Sequence, residues 1–414
     1  MGRYKILFLY PNEPFLNPPP VGISMLNAML DKDKFETAVF DTTFYPTSPL
    51  SSDKAKEENL QVRPFSFAER GVAPNKGDMI EDLKAKAKEF NPDMVVLSIL
   101  EPTYKLGIMM LDTVRKEFPN VLTVVGGVFP TAAPDIVIAH DCVDILCMGE
   151  GEMPFQELTE ALSASKEYRH IKNLWIKDRG KITKNPIRHV VNIDNLPIPD
   201  YAMFEDKRFY RPMAGHVYRA VPIETNRGCP YQCTFCNSPA TLKMYRDDHA
   251  GMFFRKKSMR HIENELNYLV KKWNAEYVYF LSDTFLSMSE EEFNEFIRIY
   301  NGIKLPFWMQ TRPETLTQER AYRLREVGCH RVSIGLEHGN EEFRRKILHK
   351  SYKNEQMLKV SEYFKNAGIP LSINNIIGFP DETRELIFDT IELNRQMHFD
   401  TTNAYAFTTF RGTF

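Results

Sequence analysis

Apolar and polar positions along the chain alternate in two long blocks of strand-like and helix-like segments, separated by an irregular stretch. Residues 4–10, YKILFLY, form an unbroken apolar run of strand length, the pattern of a strand buried on both faces. VGISMLNAML then carries helical spacing behind three prolines at 18–20, and FETAVFD (35–41) reads as a second strand. The stretch 46–78 is polar and rich in turn residues. Two readings stay open for it: a disordered insertion, or a lid over a ligand. Regular alternation follows, with MIEDLKAKAKEF as a helix, 93–100 as a strand, TYKLGIMMLDTVRKEF as a helix and 121–128 as a strand. Residues 143–152 give a strand and turn, and MPFQELTEALS the next helix. Strands alternating with helices in this way predict a doubly wound, Rossmann-like parallel sheet over residues 1–164.

Residues 165–220 change character and read as a connector. KNLWIKDRGKITKNP predicts a hairpin turned at Asp178, Arg179 and Gly180, and NIDNLPIPDYAMF an extended boundary. From residue 221 to 414 a strand–helix unit returns about every 30 residues, as βαβ units do. The six strands are AVPIETN, EYVYFLSD, PFWMQT, RVSIGLEH, LSINNIIGF and NAYAFTTF. Such units close toward a partial (β/α)6 TIM-type barrel.

Ligands bind beyond the carboxyl ends of strands in both architectures. In the first block those ends carry Asn12, then Ser98, Leu100 and Glu101, then Gly126, Gly127, Val128, Phe129 and Thr131, then Gly149, Glu150 and Gly151. In the second they carry Ser282 and Asp283, Gln310 and Arg312, and Glu337. Ser372 and Asn374 break the apolar pattern of the fifth strand and point to a polar barrel interior, and Tyr405 lies on the sixth. Plainer readings accompany several of these. Ser282 and Asp283 also suit a turn ahead of an N-cap at Ser289. Gln310 and Arg312 suit a solvated rim, the reading favoured for Arg312, and Ile377 suits the core.

Composition is that of an ordinary globular protein, with 43% hydrophobic and 26% charged residues. A formal net charge of −2 gives no basic field for nucleic acid. No stretch approaches the length of a spanning helix, and the apolar start stops at Pro11, too short for a signal segment; with six cysteines and no sign of a disulfide framework, a reducing cytoplasm is the expected setting. Of the six cysteines, Cys142, Cys147 and Cys329 are scattered. Cys229, Cys233 and Cys236 stand at C-x-x-x-C-x-x-C spacing in NRGCPYQCTFCN, directly after the first barrel strand. Three thiolates on one loop suit an iron–sulfur cluster with one open iron better than zinc, which takes four ligands. A zinc knuckle with a distant fourth ligand is the alternative. His330 and His338 lack metal spacing with the trio and read as structural or polar-rim groups.

The trio, with Phe235 before its last cysteine, resembles the signature of the radical S-adenosylmethionine (SAM) superfamily. That resemblance implies a [4Fe–4S] cluster on Cys229, Cys233 and Cys236 whose fourth iron is chelated by SAM, and reductive cleavage of SAM to a 5′-deoxyadenosyl radical. It places Phe235 and Ile377 near the adenine, and Ser282, Asp283, Gln310, Glu337, Ser372 and Asn374 near the rest of SAM. Ser98-x-Leu100, a helix, then Gly126–Gly127 resembles cobalamin-binding domains, in which the serine bonds the nucleotide tail and the glycines make room for it. The Asp-x-His-x-x-Gly motif that supplies a cobalt-binding histidine is absent here, and Phe129 stands where many relatives have histidine.

The chain is thus similar to the cobalamin-binding radical SAM enzymes. Methylation of an unactivated carbon is the implied activity, with cyclisation, rearrangement or oxidation as the rival and a non-catalytic Fe–S or cobalamin-binding protein as the rival from another class. A methylthiotransferase would need a second cysteine trio upstream, where only Cys142 and Cys147 occur. The implied partners are a small-molecule or biosynthetic-intermediate substrate and a reductase, flavodoxin or ferredoxin as electron donor. Relatives continue past the turn that ends here at FRGTF, so a truncated chain or a shorter member is expected.

Overall fold

The computed structural model describes residues 2–16, 18–47 and 52–413. Contacts divide the chain into two units. The first comprises Met1–Lys56, Ser66–Tyr210 and Lys243–Met252, and the second Glu57–Phe65, Arg211–Leu242 and Phe253–Phe414.

The first unit is built on seven strands: β1 (Tyr4–Tyr10), β2 (Phe35–Asp41), β3 (Met94–Ser98), β4 (Leu122–Gly126), β5 (Ile145–Cys147), β6 (Leu174–Asp178) and β7 (Lys181–Lys184). Their order is β2-β1-β3-β4-β5-β6-β7. The first five are parallel. Ile6, Leu7, Phe8 and Leu9 are fully buried, which is why this strand shows no alternation. Strand order reverses between β1 and β3, so a crevice opens at their carboxyl ends. The helix Met79–Phe90 shows how local sequence sets an element. Asp78 caps it by accepting from the amides of Ile80 and Glu81, Leu83, Ala87 and Phe90 line its buried face, and Asn91 ends it in the left-handed conformation.

The hairpin expected in the connector belongs to this sheet: β6 pairs antiparallel with β5, Ile145 opposite Ile176. Its turn residues Arg179 and Gly180 have φ of 48° and 79°, the two left-handed positions of a two-residue hairpin. Further along the connector, the fully buried Arg208 donates to the carbonyls of Leu16 and Pro18 and to Thr43, and pairs with Asp41. It thereby shapes the loop after β1.

The second unit holds β8 (Tyr210–Met213), β9 (His216–Glu224), β10 (Asn226–Arg227), β11 (Arg255–Lys256), β12 (Tyr277–Leu281), β13 (Phe307–Thr311), β14 (Cys329–Glu337), β15 (Leu371–Ile377) and β16 (Thr401–Ala406). One sheet runs β16-β15-β14-β13-β12-β9-β8, and its six strands from β9 to β16 are parallel and in sequence order. This is the partial barrel expected. Phe280, Phe285, Phe296, Tyr300 and Phe307 pack its outer face against the helices. The inner face alternates with it: Tyr279 stacks on Trp308 at 4.2 Å, and Ser333, Ser372, Asn374 and Asn403 continue the polar lining. Ser289 caps the helix Glu290–Ile303 in a capping box with Glu292.

The insertion at 46–78, of which residues 48–51 lie outside the described residues, forms the helix Ser52–Glu58 and the turn Phe67–Arg70. Glu57–Phe65 joins the second unit. Arg63 and Pro64 lie against Gly215, where an added Cβ would meet each at 3.3 Å. Gly215 precedes β9, so this contact is at the end of the strand opposite the cysteine loop. From Ser66 onward the segment belongs to the first unit. Among the described residues no helix is long and apolar enough to cross a membrane.

Candidate functional site

The cysteine loop is braced at its base before the first thiol. β10 pairs with β11, Asn226 bonds the carbonyl of Gly228, and Lys257 donates its amide to Thr225. Gly228 has φ +75°, and a Cβ there would strike the Phe253 ring at 2.7 Å, so glycine is required. Cys229, Cys233 and Cys236 follow on a turn closed by the Cys236 amide to the Cys233 carbonyl at 3.2 Å. Cys233 is buried and the other two are half-buried. Burial raises the Cys229 thiol and pushes Cys236 up to about 11. Thiols so placed stay protonated until a metal replaces the proton. Among the described residues no three side chains converge as ligands of a single ion. Three free thiols on one loop are the donor set for three irons of a [4Fe–4S] cluster.

The residues expected around SAM divide into those whose side chains are open to a ligand and those already committed. Asp283 is solvent-accessible, yet protein closes in on it enough that desolvation, and then Glu224, raises its carboxyl. Accessibility shows it can reach a ligand, and the surrounding mass sets its acidity. It hydrogen-bonds no described residue. A cationic ligand group is what such a carboxyl lacks.

Glu337 sits at a register shift between β14 and β15 with φ +67°, a strained position for a non-glycine residue. Its Oε1 lies 3.0 Å from the buried Lys350 Nζ, which also donates to the Gly335 carbonyl. A Cβ at Gly335 would fall 2.0 Å from that carboxylate oxygen. Asn374 accepts from Asn403 at 2.9 Å, and the Gln310 side chain is half-buried without a described partner.

Ser282, expected at SAM, shares a hydrogen bond with the Thr225 hydroxyl and is 5% exposed, so it ties the end of β12 to the end of β9. Ser372 accepts from Thr401 and Asn403. Phe235 packs edge-on against Phe379, in a cluster with Phe343, Leu348 and Ile376. Strand alternation puts Ile376 on that side and Ile377 on the other. Arg312, expected at a solvated rim, is buried and reaches Cys233. The half-buried His330 bonds the Tyr277 hydroxyl, and His338 lies buried 3.1 Å from Glu382.

Most of the residues expected around cobalamin stand at the carboxyl ends of β3, β4 and β5, while Asn12 follows β1. Ser98 stands opposite Gly126, and its hydroxyl has no described partner. Gly127 has φ +113°, and a Cβ there would lie 2.6 Å from the Ile99 carbonyl. At Gly126 an added Cβ would meet only ordinary contacts, the nearest at 3.6 Å, so nothing in the protein demands glycine there. Leu100 and Val128 flank the pair with 48% and 47% of their surface exposed. Open glycine backbone between exposed apolar side chains fits the approach of a large, flat ligand.

Phe129 is buried against Tyr104 at 4.6 Å. Thr131 bridges the Gly127 carbonyl and the Gly149 amide. Asn12 spends its side chain on Leu16 and Thr43, and Glu101 is half-buried. Gly151 caps the helix Glu152–Ser163.

Sequence reasoning missed Tyr245, Lys350 and Arg208, none of which stands in a motif. The fully buried Tyr245 hydroxyl accepts from the Glu150 amide at 2.9 Å and occupies the space a Cβ on Gly149 would need. Tyr245→Phe should strand that amide and cost about 1–3 kcal/mol. Calorimetry of the purified chain checks this, together with a weaker cobalamin affinity by titration.

A B12 binding domain model matches residues 14–159, and a Radical SAM superfamily model matches residues 223–393. The chain belongs to the cobalamin-binding radical SAM enzymes. The cofactors of these families are cobalamin, a [4Fe–4S] cluster and SAM. The chain is 29% identical over 325 residues to an uncharacterized methyltransferase of Pyrococcus horikoshii, covering 77% of this chain and 67% of the relative. It is 24% identical over 415 residues to the anaerobic magnesium-protoporphyrin IX monomethyl ester cyclase of Rubrivivax gelatinosus, covering 96% and 67%. The methyltransferase TsrM of Kitasatospora setae, solved with tryptophan and a SAM analogue, superposes with a TM-score of 0.72 at 17% identity, covering 97% of this chain and 72% of that one. This last likeness concerns the fold.

Proposed function

We propose that the protein methylates an unactivated carbon of a small molecule or biosynthetic intermediate. The observation that carries this reading is the presence, in one chain, of an accessible Asp283 beside Cys229 and Cys236, of the Glu337–Lys350 pair on the same sheet, and of a glycine edge at Gly126–Gly127. The relative from Pyrococcus horikoshii, named as a methyltransferase, supports it. When bound, the cluster and SAM supply hydrogen-atom abstraction, and cobalamin supplies a methyl carrier.

The chain's own groups bind and orient. Asp283 receives the SAM ammonium, and that cation favours the ionised carboxylate which desolvation disfavours. Lys350 holds one oxygen of Glu337, leaving the other for SAM's ribose or amino group. Asn374 and Gln310 add amide contacts from the inner face. Ser98 bonds the cobalamin tail, and Leu100 and Val128 pack against it. A flavodoxin- or ferredoxin-type donor supplies electrons.

The test uses the reconstituted chain with methyl-deuterated SAM, dithionite and a small-molecule extract as substrate pool. Deuterated methyl product, with S-adenosylhomocysteine and 5′-deoxyadenosine in equal amounts, is the expected result. Deoxyadenosine with an unlabelled, altered product would instead favour cyclisation or oxidation, the reading that the cyclase relative supports. Absence of SAM cleavage would leave a binding protein.

A further inference from the structure

The three thiols of the cysteine loop have unequal neighbours. Cys229 Sγ lies 3.5 Å from the Thr284 hydroxyl, and Cys236 Sγ lies 3.5 Å from the Ser238 amide. Both are neutral groups at long range. Cys233, the buried one, lies 3.1 Å from Nη1 of Arg312. That guanidinium is itself buried, 7% exposed, and is oriented from several sides. Its plane sits 3.7 Å over the ring of Tyr231, inside the cysteine loop. Its Nε donates to Glu314 at 3.2 Å, and Nη2 donates to the other oxygen of the same carboxylate. The bidentate clamp leaves Nη1 directed at the sulfur. The nearby Lys350 has its charge met by Glu337 and the Gly335 carbonyl.

We propose that Arg312 sets the reduction potential of the cluster through a charged hydrogen bond to the Cys233 thiolate. Hydrogen bonds to ligand sulfurs, net charge and burial fix the potentials of such clusters. Reduction adds one electron, and the guanidinium stays protonated throughout, so no proton moves. A fixed cation beside a ligand sulfur at a buried site stabilises the more negative, reduced state. Glu314 opposes it with a charge of the other sign one residue pair further out. The inference rests on the cluster and not on methyl transfer, so it is tested with neither substrate nor cobalamin present.

The experiment compares the wild-type chain with Arg312→Gln, Arg312→Lys and Glu314→Gln, each reconstituted with iron and sulfide and matched for iron per chain. Midpoint potentials come from redox titrations followed by electron paramagnetic resonance, without SAM. In Arg312→Gln the ratio of reduced to oxidised cluster at a fixed potential should fall about tenfold, a negative shift of about 59 mV for one electron. Arg312→Lys should fall between it and wild type, because a single ammonium replaces the oriented fork. Glu314→Gln should shift the midpoint positively.

Opposite signs from two touching residues are what a charge effect predicts and what general loosening of the loop does not. Equal midpoints at equal iron content, or shifts in the same direction for Arg312→Gln and Glu314→Gln, would overturn the proposal. So would an unchanged midpoint in Arg312→Gln accompanied by weaker SAM binding in a separate titration, since the arginine would then serve the SAM carboxylate. Should Arg312→Gln fail to hold iron, Arg312→Lys and Glu314→Gln decide alone, and unchanged midpoints in both refute it.

Discussion

Cys233→Ser should yield a folded chain that holds no stable [4Fe–4S] cluster and produces no detectable 5′-deoxyadenosine. Of the three thiols this one is the most enclosed, 9% exposed, on the turn that also positions Cys236. Its loss leaves two thiolates for a cluster that already offers one iron to SAM, and a hydroxyl is a poor iron ligand beside a thiolate. The exchange is nearly isosteric, and the Arg312 charge keeps its clamp on Glu314. The fold should therefore persist, with unchanged far-ultraviolet circular dichroism, while iron and sulfide analysis falls to background. Cys142→Ala is the matched control. That thiol is buried against the first sheet, burial keeps it protonated, and its removal should leave iron content unchanged. A Cys233→Ser chain that rebuilt four irons and cleaved SAM would refute the ligand assignment.

The second large effect is on stability. Lys257 and Glu265 form a fully buried pair, Nζ to Oε2 2.5 Å, with His261 3.6 Å from the same oxygen. Lys257→Met should destabilise the second unit by about 3–5 kcal/mol, because the carboxylate is left buried without its partner. Burial already raises the Glu265 carboxyl above the usual range; Lys257 and His261 pull it down and Glu224 pushes it up. Without the lysine it rises further.

A carboxyl raised in the folded state binds a proton that the unfolded chain releases, so the variant regains stability as pH falls toward that raised value. Thermal unfolding at pH 7.5 and pH 5.5 should show the larger loss at the higher pH. The double variant Lys257→Met/Glu265→Leu should recover most of it, since apolar replacement of a whole buried pair is often neutral. A loss that grows toward acid, or a double variant no better than the single, would show that the pair does not act this way. The backbone amide at residue 257, which bonds the Thr225 carbonyl beneath the cysteine loop, is kept in the single variant, so iron occupancy should fall only as far as the second unit unfolds.

Much of this was legible in the sequence because it depends on neighbours along the chain. The unbroken apolar run of β1, the turn at Arg179 and Gly180, the cap at Ser289 and the spacing of Cys229, Cys233 and Cys236 each express interactions within a few residues. The order of βα units likewise predicted both sheets, since right-handed crossovers leave few topologies. The three thiolates on one loop pointed to an open iron–sulfur cluster, and the family resemblance that they and the glycine pair carry implied SAM and cobalamin.

What the tertiary structure alone decided involves partners distant in the chain. Tyr245 meets Glu150 across 95 residues, Arg312 meets Cys233 across 79, and Arg208 meets Thr43 across 165. A polar residue at a strand end reads identically whether it faces solvent, as expected for Arg312, or turns inward onto a thiol. Ser282 and Asp283 are adjacent just past β12, yet the buried Ser282 spends its hydroxyl on Thr225 while Asp283 stays accessible on the turn that follows. Local sequence determined which chemistry the chain carries and where on each strand it stands. Packing decided which of those groups are spent holding the fold and which remain open to a ligand, because burial and pairing are properties of the assembled sheets.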